Sequence, residues 1–247
     1  MEIKKIRDLS LISIDDNKKM VIACDSCGGI GMKAMDVLKI PPFYVGRFTT
    51  RVALLEVLST GAEIVTITNT ICNEMEPTGN EIIKGILEEL KEAGLKDIIL
   101  TGSTEENFTT NSTALGITVI GIALDSELKV NRVKEEALLI SIGLPKFGDE
   151  INITYDNQIV DYKSIKELLL EESVYEIVPV GSKGIVYEVE QLALNNNMLP
   201  YFNEDIRVDL EKSGGPATCV IAAINIKSLK KILKLAANVN IIGYLKR

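Results

Sequence analysis

The run Cys24-Asp25-Ser26-Cys27-Gly28-Gly29-Ile30-Gly31 places one carboxylate at the mouth of a glycine-rich turn, directly after the apolar, strand-like Met20-Val21-Ile22-Ala23. This combination suits a phosphate and its metal ion. Glycines let the backbone approach an anion closely, and a short Asp at a strand end can hold a divalent cation that phosphates share. The turn is not a Walker loop, because no Gly-Lys-Ser/Thr closes it. Cys24 and Cys27 have CxxC spacing, which reads either as redox or metal chemistry or as two small thiols buried beside a tight turn. Cys72 and Cys219 lie far apart in sequence and supply no second pair.

Three further polar segments carry candidate groups. Thr101-Gly102-Ser103-Thr104-Glu105-Glu106-Asn107 follows a strand-like run and offers a metal or phosphate contact through Glu105 or Glu106; it reads equally as a solvated turn. Gly181-Ser182-Lys183-Gly184 opens a predicted helix, where backbone N–H groups, the helix dipole and Lys183 would converge on an anion, although a plain strand-to-helix turn accounts for the pattern too. Ser213-Gly214-Gly215-Pro216-Ala217-Thr218-Cys219 precedes the apolar run 220–224 and either presses against a ligand or forms a tight turn. Lys33, Arg47 and Arg51 are further candidate phosphate contacts, although most Lys and Arg are solvated surface charges, and Asp15-Asp16 reads as a hairpin turn as readily as an acidic pair.

Composition bounds the possibilities. A chain of 247 residues with 46% apolar and 25% charged residues is long enough for one large or two ordinary globular domains. No apolar stretch approaches the ~20 residues needed to cross a bilayer, and the charged start Met1-Glu2-Ile3-Lys4-Lys5 has no signal-peptide core, so the expectation is a cytoplasmic protein without a membrane partner. A net charge of −8 with scattered Lys and Arg argues against a nucleic-acid surface. With no histidine, Ser-His and Cys-His nucleophile pairs and imidazole zinc sites are excluded, and acid–base work would fall to carboxylates, Lys, Tyr or Cys.

Strand and helix patterns alternate in two halves, divided near the charged stretch 125–136. In the first, a helix is expected over 50–60, a strand over 63–71, and a helix opened by the capping-box pattern Thr78-Gly79-Asn80-Glu81 and ended at Gly94, followed by strands over 97–100 and 116–124. The second half predicts strands over 137–142, 151–155, 175–180 and 220–224, helices near 163–172, 185–196 and 227–237, and a final apolar run over 239–244. The fold class is α/β (α+β).

Taken in order, these segments resemble the PurM-like superfamily of aminoimidazole ribonucleotide synthetase, thiamine-monophosphate kinase and selenophosphate synthetase. Asp25 at its strand end, the helix before Leu58-Ser59-Thr60-Gly61-Ala62-Glu63, the Thr78-Gly79 helix, the Gly102 loop, the Gly181 to Gly184 turn and the Ser213 to Cys219 segment carry the likeness. The strings CDSCGGIG, VGSKG and SGGPATC most resemble the alpha-ribazole kinase branch, which serves cobalamin salvage.

The resemblance implies a two-domain subunit, with residues 1–125 as an N-terminal ATP/Mg-binding and dimerisation domain and 126–247 as a C-terminal α/β domain. The N-terminal mixed sheets of two subunits would join into a shared β-barrel in a homodimer. It implies ATP and Mg2+ as cofactors, with Asp25, Glu56, Glu105 and Glu106 as metal ligands; Glu56 stands where relatives carry an Asp five residues before the Gly-Ala pair. Nucleotide contacts fall to Gly28, Gly29, Gly31, Gly102, Ser103, Thr104, Gly181, Ser182, Gly184, Gly214 and Gly215, and the catalytic groups to Asp25 and Lys183. Two departures stand out. The acid of the relatives' Gly-Asp-Thr motif is Ser103 here, and the Asp of their Ser-Asp-Gly motif is Lys183.

The implied activity is phosphorylation of the 5'-hydroxyl of a small nucleoside, alpha-ribazole first among them. Another ATP-dependent enzyme of the superfamily, whether a different small-molecule kinase or a ring-closing synthetase, and a non-catalytic nucleotide-binding regulator are the alternatives. Loss of the acid at Ser103 favours the last of these.

Overall fold

The computed structural model describes residues 2–247. The chain forms two compact mixed α/β units, one made of the residues up to Val57 with Ala62–Asp125, the other of Leu58–Gly61 with Ser126–Arg247. Among the described residues, no helix is long and apolar enough to cross a membrane.

The first unit runs β1 (Ile3–Ile6), β2 (Leu9–Ser13), β3 (Lys18–Gly28), β4 (Ile30–Gly31), β5 (Leu38–Lys39), α1 (Pro42–Leu58), β6 (Glu63–Ile71), a π-turn (Met75–Gly79), α2 (Asn80–Glu92), β7 (Ile99–Ser103) and β8 (Ala114–Leu124). Its main sheet has the order β1-β2-β3-β8-β6-β7, with β6 and β7 parallel and the other neighbours antiparallel. Alternate residues of the central strands, Val21, Ala23, Ile67, Ile71, Leu115, Ile117 and Val119, are buried on one face. α1 covers that face, Val57 lying over Gly121. The hairpin turn before β3 is closed by Asp15, whose carboxylate accepts the Asn17 and Lys18 N–H groups, both at 2.8 Å.

Local signals place β6, while α1 begins eight residues before the expected 50. Pro42 occupies its first position, where a missing N–H costs nothing and the fixed φ favours entry. Two glycines then let α1 and α2 cross at backbone contact. A Cβ on Gly46 would lie 2.1 Å from the Ile82 carbonyl oxygen, and one on Gly85 1.9 Å from that of Phe43. Buried Glu89 of α2 is bound by Arg47 at 2.9 Å and Arg51 at 3.7 Å across this crossing.

The capping box does not form. The Thr78 hydroxyl donates to the Glu74 carboxylate instead, four residues back at the start of the π-turn, while Gly94, at φ +71°, lies just past the helix end.

The second unit contains β9 (Ala137–Ile142), α3 (Tyr162–Leu169), β10 (Val174–Pro179), α4 (Gly184–Asn195), β11 (Leu199–Phe202), β12 (Val220–Ile224), α5 (Leu229–Ile232) and β13 (Val239–Lys246). Its antiparallel sheet has the order β10-β12-β9-β13-β11. β9 and β12 are buried throughout, as expected of central strands written as unbroken apolar runs.

Two expectations are corrected here. Residues 151–155 are loop, because the Asp156 and Asn152 side chains accept the N–H groups of Asn152, Thr154 and Tyr155 that a ladder would have used. The helix expected over 227–237 shrinks to α5 after a short 3-10 turn, Ile226–Ser228.

Candidate functional site

β3 does not end at Ala23; it continues through Gly28, paired with β8 all the way. Asp25 is therefore a strand residue, and alternation places it on the same face as buried Val21 and Ala23. Register carries this row across the sheet: Asp25 lies opposite Ile117, Ile117 opposite Asn69, and Asn69 opposite Gly102. Asp25 and Gly102, far apart in sequence, thus share one face and one row, about 14 Å apart at three strand spacings. Asn69 fills the step between them and packs where a Cβ on Gly102 would fall, 2.3 Å from its Oδ1.

The same alternation decides the CxxC pair. Cys24 and Cys27 are three residues apart on an extended strand, so their thiols point to opposite faces and cannot close a disulfide or share a metal. All four cysteines are free. Cys27 joins Asp25 on the helix-covered face, where burial pushes its thiol pKa up against the opposing hydrogen bond with Thr49.

Asp25 is half-buried, and its carboxyl is pushed up to about 6, chiefly by desolvation, with a further contribution from the Asp8 charge; a hydrogen bond from the Ser26 backbone opposes both. Among the described residues, no Lys or Arg is among the groups acting on it. A carboxylate held this way gains most from an arriving cation.

Beyond β3, Gly29 (φ +74°) and Gly31 (φ +153°) turn the chain, and the turn is held by Asp36, a residue that no sequence motif singles out. The buried Asp36 carboxylate accepts from the Thr113 N–H and hydroxyl, both at 2.7 Å, from the Lys33 N–H at 2.8 Å and from the Ser112 hydroxyl at 3.0 Å. Burial alone would raise its pKa, but these bonds outweigh it and hold the carboxyl below its usual range. Gly31 is obligatory here, since a Cβ would sit 2.2 Å from Thr113 Oγ1 and 2.6 Å from Asp36 Oδ2.

Buried Asn73 braces the same stretch, donating to Thr110 Oγ1 and the Ser112 carbonyl and accepting from the Ala114 N–H. Replacing Asp36 by Asn removes acceptor capacity from four converging donors. We expect Asp36→Asn to cost about 2 kcal/mol in urea unfolding and to speed amide exchange over 29–36 and 112–114.

A cleft of about 340 Å3 opens beside this turn, lined by Met32, Lys33, Pro42, Glu74, Pro77, Thr78, Glu81 and Thr113. Lys33 is bound to Glu74 at 2.7 Å, so neither it nor the Glu89-bound Arg47 and Arg51 is an open phosphate ligand.

In the second unit the two late glycine segments meet. The Gly214 N–H donates to the Gly181 carbonyl at 3.0 Å, and the Val180 N–H to that of Cys219. Gly184, at φ +80°, abuts the Glu211 carbonyl, which a Cβ would approach to 2.7 Å. Gly215 and Ser182 belong to the same pair of turns. Lys183 stands just before α4 with its ammonium 4.1 Å above the Tyr187 ring, a cation–π contact that holds it at the turn.

Residues 7–123 match the family described as AIR synthase related protein, N-terminal domain. That match spans most of the first unit. No curated protein sequence matches the chain. Among solved structures, T. maritima PurL complexed with ADP superposes with a TM-score of 0.67 at 13% identity, over 97% of this chain and 42% of that one. Thiamine-monophosphate kinase from Stenotrophomonas maltophilia K279a gives 0.64 at 14% identity over 99% and 88%. A chain of the HypE-HypF complex gives 0.67 at 14% over 96% and 86%. This chain spans less than half of PurL and most of the other two. The chain has the PurM-like fold, with the mixed α/β composition read from the sequence.

Within that fold the carboxylates implied as metal ligands are dispersed. Among the described residues, no group of three or more Cys, Asp or Glu side chains is arranged to hold a metal ion. Buried Glu56 of α1 is engaged by the Arg7 guanidinium at 3.4 Å. Glu105 closes its own loop by accepting the Asn107 and Phe108 N–H groups, and Glu106 accepts the Met75 N–H and the Thr104 hydroxyl. Ser103 pairs with Thr70, opposite Gly116 and Ser26, and so faces away from Asp25. Asp25 fits a cation shared with a ligand's phosphates, whereas one oxygen of Glu56 is already engaged by the Arg7 guanidinium.

Proposed function

We propose that the protein is a cytoplasmic ATP-dependent phosphotransferase that phosphorylates the 5'-hydroxyl of a small nucleoside, with alpha-ribazole as the acceptor. The observation that carries this reading is a fold shared with thiamine-monophosphate kinase over nearly the whole of both chains, with Asp25 uncompensated beside a glycine turn. In this reading residues 1–125 bind nucleotide and residues 126–247 complete the subunit.

Asp25 holds the magnesium ion of the nucleotide, with Glu105 or Glu106 contributing once their loop contacts are released. That ion supplies charge neutralisation on the phosphates. Gly28, Gly29 and Gly31 let the backbone come close to the triphosphate, Gly102, Ser103 and Thr104 are assigned to its far end, and the turns carrying Gly181, Ser182, Gly184, Gly214 and Gly215 are assigned to the acceptor. Positioning and charge stabilisation then do most of the catalytic work, and no histidine is needed.

Lys183 is assigned to a phosphate oxygen, leaving the Tyr187 ring on binding. Lys183→Gln is expected to lower kcat/KM for ATP ~10- to 100-fold, as loss of a charged transition-state contact does, with little change in melting temperature. Steady-state ADP release measures it.

The sheet face opposite Asp25 supports a homodimer. Ile3, Ile12, Met20 and Ile122 form one register row, and Ile22 and Ile120 part of the next, all partly or wholly exposed. A second copy laid on these rows would form the shared barrel and cover apolar surface that a monomer leaves wet.

Incubation with MgATP and alpha-ribazole, followed by mass spectrometry of ADP and product, tests the reading. One added phosphate on the ribose, lost in Asp25→Ala, supports it. ADP formed only with other acceptors removes alpha-ribazole, and none with any acceptor favours a nucleotide-binding regulator, a reading to which the Arg7–Glu56 pair and Ser103 also lend support.

A further inference from the structure

The far end of α4 carries a cleft that the proposed phosphotransfer does not use. It has a volume of about 490 Å3 and opens between the turn after α4 and the segment entering β9. The 12 residues of α4 separate it from the Gly181 to Gly184 turn by roughly 18 Å at 1.5 Å per residue.

Asn196 fixes the shape of this cleft. Its side-chain oxygen accepts the Val133 N–H at 2.9 Å, and its amide nitrogen donates to the Leu192 carbonyl at 2.9 Å and the Glu176 carboxylate at 3.0 Å. One carboxamide thus staples the approach to β9 onto the helix end, and the cleft exists before any ligand arrives. The backbone donors here are also spent. Asn197, at φ +54°, closes the helix with its own N–H on the Leu194 carbonyl, while the Met198 N–H donates to the Ala193 carbonyl.

The side chains left over define a class of ligand. Lys134 and Arg247 are the charged residues of the lining, which among the described residues holds no Asp or Glu. Arg247 spends one N–H on the Lys134 carbonyl, 2.7 Å away, and this bond keeps its guanidinium at the cleft wall. Among the described residues neither cation is in an ion pair. The nearest carboxylates are engaged elsewhere: Glu135 is bound by Tyr175 and Asn225, and Glu176, 1% exposed, lies behind Asn196. In a chain of net charge −8, two uncompensated cations on one cleft create a local positive field. A point charge beside a planar fork suits the oxygens of a phosphate dianion.

Asn131, Asn195 and Asn197 also line the cleft, and their carboxamides make no hydrogen bond among the described residues. A carboxamide both donates and accepts, which is what a hydroxyl requires of its partner. Apolar lining is confined to Val133 and Met198, both buried. The cleft therefore favours a hydroxylated body over an aromatic one.

We propose that this cleft binds a small sugar phosphate, with the phosphate monoester on Lys134 and Arg247 and the hydroxyls on the asparagine side chains. The proposal goes beyond the phosphotransfer reading and does not depend on it, because no residue of this lining has a part in that chemistry.

Calorimetric titration of the full chain with ribose 5-phosphate, ribose and inorganic phosphate, in the absence of nucleotide and metal, tests the assignment. Lys134→Gln and Arg247→Gln each remove one charge at an exposed position. Lys246→Gln removes the same charge outside the lining, where the ammonium lies over the Tyr201 and Tyr244 rings at 5.5 and 5.8 Å, and is the control. Ribose 5-phosphate is expected to bind at least about tenfold tighter than ribose or phosphate, and to lose at least about tenfold in Lys134→Gln and in Arg247→Gln. Its binding should be unchanged in Lys246→Gln and in Lys183→Gln.

No binding of ribose 5-phosphate would overturn the proposal. So would equal binding of inorganic phosphate, which would reduce the site to a bare anion patch, or an equal loss in Lys246→Gln, which would reduce the effect to net charge. Binding lost in Lys183→Gln but kept in Lys134→Gln and Arg247→Gln would move the ligand to the Gly181 turn and overturn it as well. ADP release scores the phosphotransfer reading separately, so either can fail while the other stands.

Discussion

Asp25→Asn should make the protein more stable at pH 7 while abolishing the proposed phosphotransfer. The Asp25 carboxyl moves from 3.8 to about 6 because its charge is desolvated and faces Asp8 without a compensating cation. A carboxyl whose folded-state pKa lies above its unfolded value holds its proton more tightly when folded, so its ionisation destabilises the fold. The penalty is absent below pH 3.8, grows as pH rises towards about 6, and is complete above that. A shift of roughly two units corresponds to about 3 kcal/mol at pH 7 as an upper bound, or roughly 6 to 12 °C in melting temperature for a chain of this size.

Asn keeps the shape, and its carbonyl can still accept from the Ser26 N–H. Urea unfolding of both proteins from pH 3.5 to 8 measures the effect: the curves should coincide at the acid end and diverge through the titration. Divergence in the opposite sense, with the wild type more stable at pH 7, would show that Asp25 is paired in solution. MgATP should raise the melting temperature of the wild type by more than that of Asp25→Asn, since only the wild type has a charge for the cation to relieve.

The second large effect is at the α1/α2 crossing, where Gly85→Ala should lower stability by at least ~3 kcal/mol. An Ala in an exposed helix interior ordinarily gains about 1 kcal/mol over Gly, so the sign alone separates the two accounts. Here the added Cβ would fall 1.9 Å from the Phe43 carbonyl oxygen and 3.0 Å from the Arg47 nitrogen, both backbone atoms of α1 that cannot rotate away. The helices must separate, which also strains the Arg47 and Arg51 bonds to buried Glu89. Gly46→Ala should behave alike, its Cβ meeting the Ile82 carbonyl oxygen at 2.1 Å. Gly28, where an added Cβ would meet nothing within 4 Å, is the tolerant control. Chemical denaturation of the three variants checks the ranking, and a stable Gly85→Ala would sink the close-crossing account.

Much of the fold was legible from local signals. β6, β9 and β12 coincide with their apolar runs, because strand propensity and alternation act over a few residues and each run is bounded by turn chemistry. Gly94 likewise marks the end of α2 without help from anything distant. The mixed α/β class followed from the order of such segments, and the glycine motifs marked the positive-φ turns at Gly29, Gly31 and Gly184.

What tertiary structure alone decided concerns partners remote in sequence. The strand carrying Asp25 runs on to Gly28 because β8 pairs with every residue of it, and that pairing turns CxxC into two thiols on opposite faces. Nothing local marks Asp36 as the brace of the Gly31 turn, since its partner Thr113 is 77 positions away; nor is the binding of Glu56 by Arg7, across 49, visible in either segment. Residue types and spacing determine which groups are available and where the chain can bend. Which of them meet, and whether a carboxylate ends up braced, neutralised by a guanidinium or left uncompensated, depends on strand register and helix crossing, which are properties of the packed whole.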